Sequence, residues 1–197
     1  MTFNQYAFNN FILDHQIIST FEKPITLKSG KKSSIYINWR TVAEDVFLMD
    51  QLTDFVLSFV QHKSISVNTF YGVPEGATKL GLITQFKFAK LQGIKKHRHQ
   101  LAMGRAKPKD HGDPKDRYFV GAPKGSICVL EDVTTTGGSL INCIKSLQAN
   151  GMDVRAAIGL TNRDEFRDDG KTVAEALAEL SVPYYEMSNA NQLTSSM

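Results

Sequence analysis

Ile127-Cys128-Val129-Leu130-Glu131-Asp132-Val133-Thr134-Thr135-Thr136-Gly137-Gly138-Ser139-Leu140 changes character twice. Four apolar residues come first, as a strand buried on both faces requires. Two adjacent carboxylates follow, then three threonines and two glycines that run straight into a helical pattern. In open α/β sheets, ligands bind beyond the carboxyl ends of the strands. Glycines let backbone N–H groups approach a ligand closely, and the start of a helix adds partial positive charge, so this turn suits a phosphate. Carboxylates accept hydrogen bonds from sugar hydroxyls. One ligand with a phosphate at one end and a diol at the other satisfies both halves. A plain strand-to-helix turn accounts for one threonine and one glycine, and leaves the other residues unexplained.

Outward from this stretch, strands and helices alternate. Residues 140–149 read as a helix ending before Gly151, 154–160 as a strand, and 182–187 as a last strand. Thr172 and Glu175 form the capping pair of a helix over 172–180. Upstream, residues 67–71 make a short strand ended by Gly72 and Pro74, and a helix follows over 77–91. Asp45 caps the strongest helical pattern, Val46, Met49, Leu52, Phe55, Val56, Phe59 and Val60. Phe3, Ala7, Phe8, Phe11 and Ile12 predict an amphipathic first helix. Residues 24–40 switch to strand style about a Ser29-Gly30-Lys31 turn, and a further strand is expected at 101–103. This alternation predicts an α/β fold with a mainly parallel sheet flanked by helices, in one domain over 1–197.

Residues 104–117 show neither period and carry two prolines, which predicts a long loop. They belong to a basic segment, residues 87–117, with ten cations against three acids. Its charge is +7 and that of the remainder −4, given the net +3. Such a field draws anions. Within it, Lys96-His97-Arg98-His99 reads as a solvated basic turn rather than a metal site, since cations flank both histidines.

The chain has 197 residues, 42% hydrophobic and 22% charged, as expected of a soluble globular protein. No apolar run approaches the ~20 residues of a membrane span, and the first residues lack a secretory pattern, so cytoplasmic residence is expected. Cys128 and Cys143 form no metal-ligand spacing and read as reduced, buried side chains. Neither GxxxxGK[ST] nor GxGxxG occurs, which leaves triphosphatase and dehydrogenase readings unsupported.

The 127–140 stretch resembles the phosphoribosyl pyrophosphate motif of the type I phosphoribosyltransferases. Three other stretches resemble the orotate phosphoribosyltransferase family. They are Ile25-Thr26-Leu27-Lys28-Ser29-Gly30-Lys31-Lys32-Ser33-Ser34-Ile35-Tyr36-Ile37-Asn38, similar to its amino-terminal hood (approximately 1–40 here), Arg105-Ala106-Lys107-Pro108-Lys109-Asp110-His111-Gly112, similar to its mobile catalytic loop (approximately 104–117), and Asn162-Arg163-Asp164-Glu165, similar to its base-binding segment.

The resemblance implies transfer of a phosphoribosyl group from phosphoribosyl pyrophosphate to orotate. In that reading, residues 134–139 hold the 5′-phosphate, Glu131 and Asp132 the ribose hydroxyls, and Arg163 the anionic base beside Tyr36 and Ile37. Lys28 sits between base and pyrophosphate, and Arg105, Lys109 and His111 act from the loop. Magnesium is implied as cofactor, held mainly by the substrate rather than by a protein metal site. A homodimer is implied in which the loop reaches the partner's site, with neither nucleic acid nor membrane as partner. Gly72-Val73-Pro74-Glu75-Gly76-Ala77 resembles the pyrophosphate loop, so Glu75 and Gly76 are expected to contact substrate. Here the chain departs from the commoner pattern: Gly76 and Ala106 stand where many relatives have lysine, and Asn162 where many have aspartate. Two other readings compete, a purine phosphoribosyltransferase and a non-catalytic regulator that senses phosphoribosyl pyrophosphate or binds nucleic acid; the hood and the Lys109–Gly112 core speak against the first, and Lys109 and His111, which a binding module does not need, against the second.

Overall fold

Helix α1 (Gln5–Asp14) opens the chain in the computed structural model, which describes residues 2–26, 32–105, 107–111 and 117–195. The Asn4 side chain accepts from the Ala7 amide at 3.0 Å, and the helix buries Phe8, Phe11 and Ile12. Strands β1 (Ile18–Thr26) and β2 (Lys32–Ile37) follow as an antiparallel pair. Their register shifts between Thr20 and Ile25, around Pro24, which has no N–H to give a ladder. The first strand begins at Ile18, six residues before the sequence pattern predicts. Ile18 is its one buried residue, so no alternation announced it. The turn between the strands, with Lys28, lies outside the described residues.

A short α2 (Arg40–Ala43) leads into α3 (Val46–His62), where Asp45 accepts from the Leu48 amide at 2.9 Å. Such a cap contributes about 1 kcal/mol. Next come β3 (Thr69–Gly72), α4 (Thr78–Leu91), the two-residue strands β4 (Met103–Gly104) and β5 (Phe119–Val120), and β6 (Ser126–Thr134). The chain ends with α5 (Gly138–Ala149), β7 (Asp153–Asn162), α6 (Val173–Ala178), β8 (Tyr184–Glu186) and α7 (Ala190–Thr194). Glu175 and Thr172 complete the expected capping box on α6.

The main sheet has the order β3-β6-β7-β8, with every neighbouring pair parallel. Alternate side chains of a strand enter opposite faces. Cys128 and Leu130 of β6 accordingly join a core with α1, α3 and α4 through Phe8, Val56 and Leu80. Ile127 and Val129 join a second core with α5 and α6 through Leu140, Ile144 and Leu177. The result is the expected parallel sheet between helical layers.

Three expectations change. Strand β6 does not stop at Leu130: its ladder to β7 continues through Glu131↔Gly159, Val133↔Thr161 and Thr134↔Asn162, so the acidic pair lies on the strand itself. The 104–117 stretch has a paired stem, with Met103 and Gly104 against Val120 and Phe119. The Arg105 amide donates to the Tyr118 carbonyl at 2.9 Å, and that of Lys109 to Arg117 at 2.8 Å. Cys128 is buried but Cys143 only half-buried. Burial still pushes the Cys143 thiol up to about 12, with the nearby Glu131 adding to the shift, and a thiol so protonated is no nucleophile at neutral pH.

Candidate active site

Because β6 runs on past Leu130, pleat alternation sends Glu131 and Asp132 to opposite sides. Glu131, 6% exposed, lines a cavity of about 270 Å3 with Thr135, Thr136, Gly137, Gly138 and Ser139. Asp132 lines a second cavity of about 370 Å3 with Tyr36, Ile37, Trp39 and Arg163. Val133 and Thr135 border both. The two compartments therefore adjoin at the carboxyl edge of the sheet, one on each side of the strand end.

The first compartment is built for an anion. Gly137 caps α5 at φ +71°, a left-handed conformation that glycine adopts without penalty. The cap residue is a glycine and offers no side chain of its own to this helix start, which carries the partial positive charge of its first N–H groups. A Cβ on Gly138 would meet nothing within 4 Å, which leaves that amide approachable. Arg167 shapes the loop from behind. Its Nη1 donates to the Thr136 carbonyl at 2.7 Å, and its Nε lies 3.5 Å from Asp169. Drawing that carbonyl toward a cation turns the loop's acceptors away from the ligand. Sequence reasoning missed Arg167: it lies four residues beyond Arg163 in a stretch without period, and its partner is 31 positions away.

The second compartment is roofed by the β1–β2 hairpin. Trp39 fixes the hairpin's exit by donating Nε1 to Thr161 Oγ1 at 3.1 Å and stacking on Phe8. Arg163, 9% exposed, ties the roof to the sheet. Its Nε donates to Glu165 at 3.0 Å, Nη1 to the Ile35 carbonyl at 3.1 Å and Nη2 to Ser33 Oγ at 2.7 Å. Three of five N–H groups are thus engaged among the described residues, and its backbone amide donates to the Thr134 carbonyl at 2.8 Å.

Glu75 and Gly76 are exposed in the turn after β3. Val73 N donates to the Leu130 carbonyl at 2.9 Å, which draws this turn beside the acidic pair. Gly76 packs against the Asp132 carboxylate, whose Oδ1 accepts from the Val133 amide at 2.8 Å. Gly104 belongs to β4 and lies against Tyr71 and Pro74. Lys109 is half-buried and His111 exposed; neither, nor Arg105, lines the two compartments. Lys28 and Ala106 lie outside the described residues. Among those residues, no group of three His, Cys, Asp or Glu is placed to hold a metal, and no helix is long and apolar enough to cross a membrane.

The orotate phosphoribosyltransferase of Rhodopseudomonas palustris (strain BisB5) is 33% identical over 178 residues, 85% of this chain and 86% of that protein. This chain belongs to the orotate phosphoribosyltransferase family. The orotate phosphoribosyltransferase of Thermococcus gammatolerans is 28% identical over 71% of this chain and 69% of its own. Among solved structures, the orotate phosphoribosyltransferase from Aeropyrum pernix has a TM-score of 0.72 at 21% identity, covering 95% of this chain and 96% of that one. The Mycobacterium tuberculosis enzyme in complex with phosphoribosyl pyrophosphate scores 0.63 at 14% identity, over 96% and 98%. These structural likenesses show the type I phosphoribosyltransferase fold. No family model matches the chain.

Proposed function

We propose that this orotate phosphoribosyltransferase transfers the phosphoribosyl group of phosphoribosyl pyrophosphate to orotate, giving orotidine 5′-monophosphate and pyrophosphate, a step of pyrimidine biosynthesis. One observation carries the reading: two compartments, one phosphate-shaped and one roofed by the hairpin, meet at the Glu131–Asp132 strand end. A ligand with a phosphate, a diol and an aromatic acid fits that sequence of environments. The 5′-phosphate sits on the amides of residues 135–139 at the start of α5, and the ribose lies across the acidic pair. Orotate enters under the hairpin against Tyr36 and Ile37, where the unengaged N–H groups of Arg163 meet its carboxylate.

In the reaction the bond from ribose C1 to pyrophosphate breaks and a bond from C1 to the base nitrogen forms. Positive charge grows on the ribose and negative charge on the leaving oxygens. Glu131 and Asp132 stabilise the first, and cations from Lys28, Arg105, Lys109 and His111 the second, more strongly in the transition state than before it. Neither acid pair nor turn supplies a full metal cage, so magnesium would be held mainly by the substrate, with Glu131 and Asp132 as the carboxylates able to assist. When bound, it neutralises charge on the leaving group. The family resemblance supports a homodimer in which the 104–117 segment serves the partner's site.

A screen of bases tests the reading against its purine alternative. With magnesium and phosphoribosyl pyrophosphate, orotate is the base consumed, whereas uracil, hypoxanthine and adenine persist. Consumption of a purine base instead would overturn it.

A further inference from the structure

At the opposite edge of the sheet lies a cavity of about 290 Å3, between the start of β3 and the end of α4. Arg98, Lys124, His97, His99, Asn68 and Gln92 border it, and its lining includes no carboxylate. The sequence reading of Lys96-His97-Arg98-His99 as a solvated turn holds for His97 and Arg98 but not for His99. That ring is half-buried, packs edge-on against Phe88 at 5.9 Å, and has an Nε2 closed to solvent with no hydrogen-bond partner among the described residues. Buried polar atoms without partners are rare.

The surrounding turn is held in place. The Gln100 side chain donates to the His97 carbonyl at 3.1 Å, and the Arg98 amide to that of Lys95 at 3.2 Å. Asn68 Oδ1 accepts from both the amide and hydroxyl of Ser126, which turns its NH2 group to the free side as a donor. Thr69 fixes the other wall by donating to the Lys124 carbonyl at 2.6 Å. The backbone positions of Arg98 and Lys124 are thus held beside a concave space whose lining has no carboxylate.

We infer that this pocket binds a small phosphorylated anion through its phosphate group, at a site separate from the catalytic edge. A tetrahedral phosphate matches the chemistry of the lining: two permanent cations, two imidazoles and an amide donor. The concave shape favours a small ligand over a duplex, which docks on open basic faces. Of the ten cations in the +7 segment, Arg98 lines this cavity, and Lys124 joins it from outside the segment. The site stands independently of the catalytic reading, because none of these residues lines the catalytic compartments.

The test is a titration of the full chain with inorganic phosphate, followed by NMR of the histidine rings at fixed pH and fixed ionic strength. His97 and His99 should shift along a saturating curve while His15 and His62 stay put. The Arg98→Ala and Lys124→Ala double variant should weaken that response at least tenfold. Gly138→Asp, which places an anion in the catalytic phosphate loop, should leave it intact. Shifts that follow chloride equally, or that survive the double variant, would overturn the site. Duplex DNA shifting the same rings more strongly at equal phosphate concentration would overturn the assignment to a small ligand.

Discussion

A Cβ on Gly76 would stand 2.8 Å from Oδ2 of Asp132 and 3.2 Å from its Cγ. The turn after β3 therefore packs on the acidic pair at a spacing that any larger residue would disturb. Asp132 is held by its own Val133 amide, so it yields only by giving up that bond. Many relatives carry lysine at this position, and in this chain the gap beside Asp132 is too small for it without a shift.

Gly76→Ala should accordingly lower kcat/KM for phosphoribosyl pyrophosphate by roughly tenfold, about 1.4 kcal/mol of transition-state stabilisation. Thermal unfolding should hardly change, because residue 76 is exposed. Initial-rate kinetics beside a melting curve decide it, and unchanged kinetics would mean that the turn and the carboxylate act independently.

Arg163 braces the hairpin and, in the proposed function, faces the base; Arg163→Lys separates the two roles. Lysine keeps the charge and loses the planar fork, so at least two of the three side-chain bonds are lost. Urea unfolding should show a loss of about 1–2 kcal/mol. The KM for orotate should rise roughly tenfold while that for phosphoribosyl pyrophosphate stays within about threefold. An equal rise in both would assign Arg163 to general support of the site.

Among the described residues, Arg167 reaches the proposed phosphate loop through the Thr136 carbonyl. Arg167→Ala should raise the KM for phosphoribosyl pyrophosphate by roughly fivefold to tenfold with a smaller change in kcat. Arg167→Lys, which can still reach that carbonyl with one donor, should recover part of the loss. A kcat effect without a KM effect would contradict this positioning role.

The strand-to-helix turn, the Asp45 cap and the Thr172–Glu175 box were legible because each depends on residues within a few positions of one another. The hidden features are non-local. Strand β1 exposes most of its side chains and is broken by Pro24, so only its partner β2 reveals it. Arg163 finds Ser33 and Ile35 about 130 residues away, and Arg167 finds Thr136 across the sheet edge. A motif shows that an arginine matters without showing that its fork already braces the hood. The His99 environment escaped for the same reason: its cover comes from Phe88 on the preceding helix, while the four residues before it, Lys95 to Arg98, are all basic.

The proposed crossing of the 104–117 segment has its own test. Lys109→Ala and Asp132→Asn proteins, each inactive alone, should regain activity when subunits exchange. In a hybrid dimer one site receives an intact loop and an intact acidic pair, so about a quarter of wild-type activity is expected at equal mixing. Demonstrated exchange without recovery would place each loop in its own subunit's site.

The central claim is phosphoribosyl transfer to orotate, and simultaneous measurement of orotate loss and pyrophosphate release tests it most directly. With phosphoribosyl pyrophosphate and magnesium, the two should change in equal amounts, stop when magnesium is chelated, and fall on the order of 100-fold in Asp132→Asn. Pyrophosphate released without orotate loss, or rates indifferent to Asp132→Asn, would contradict the account.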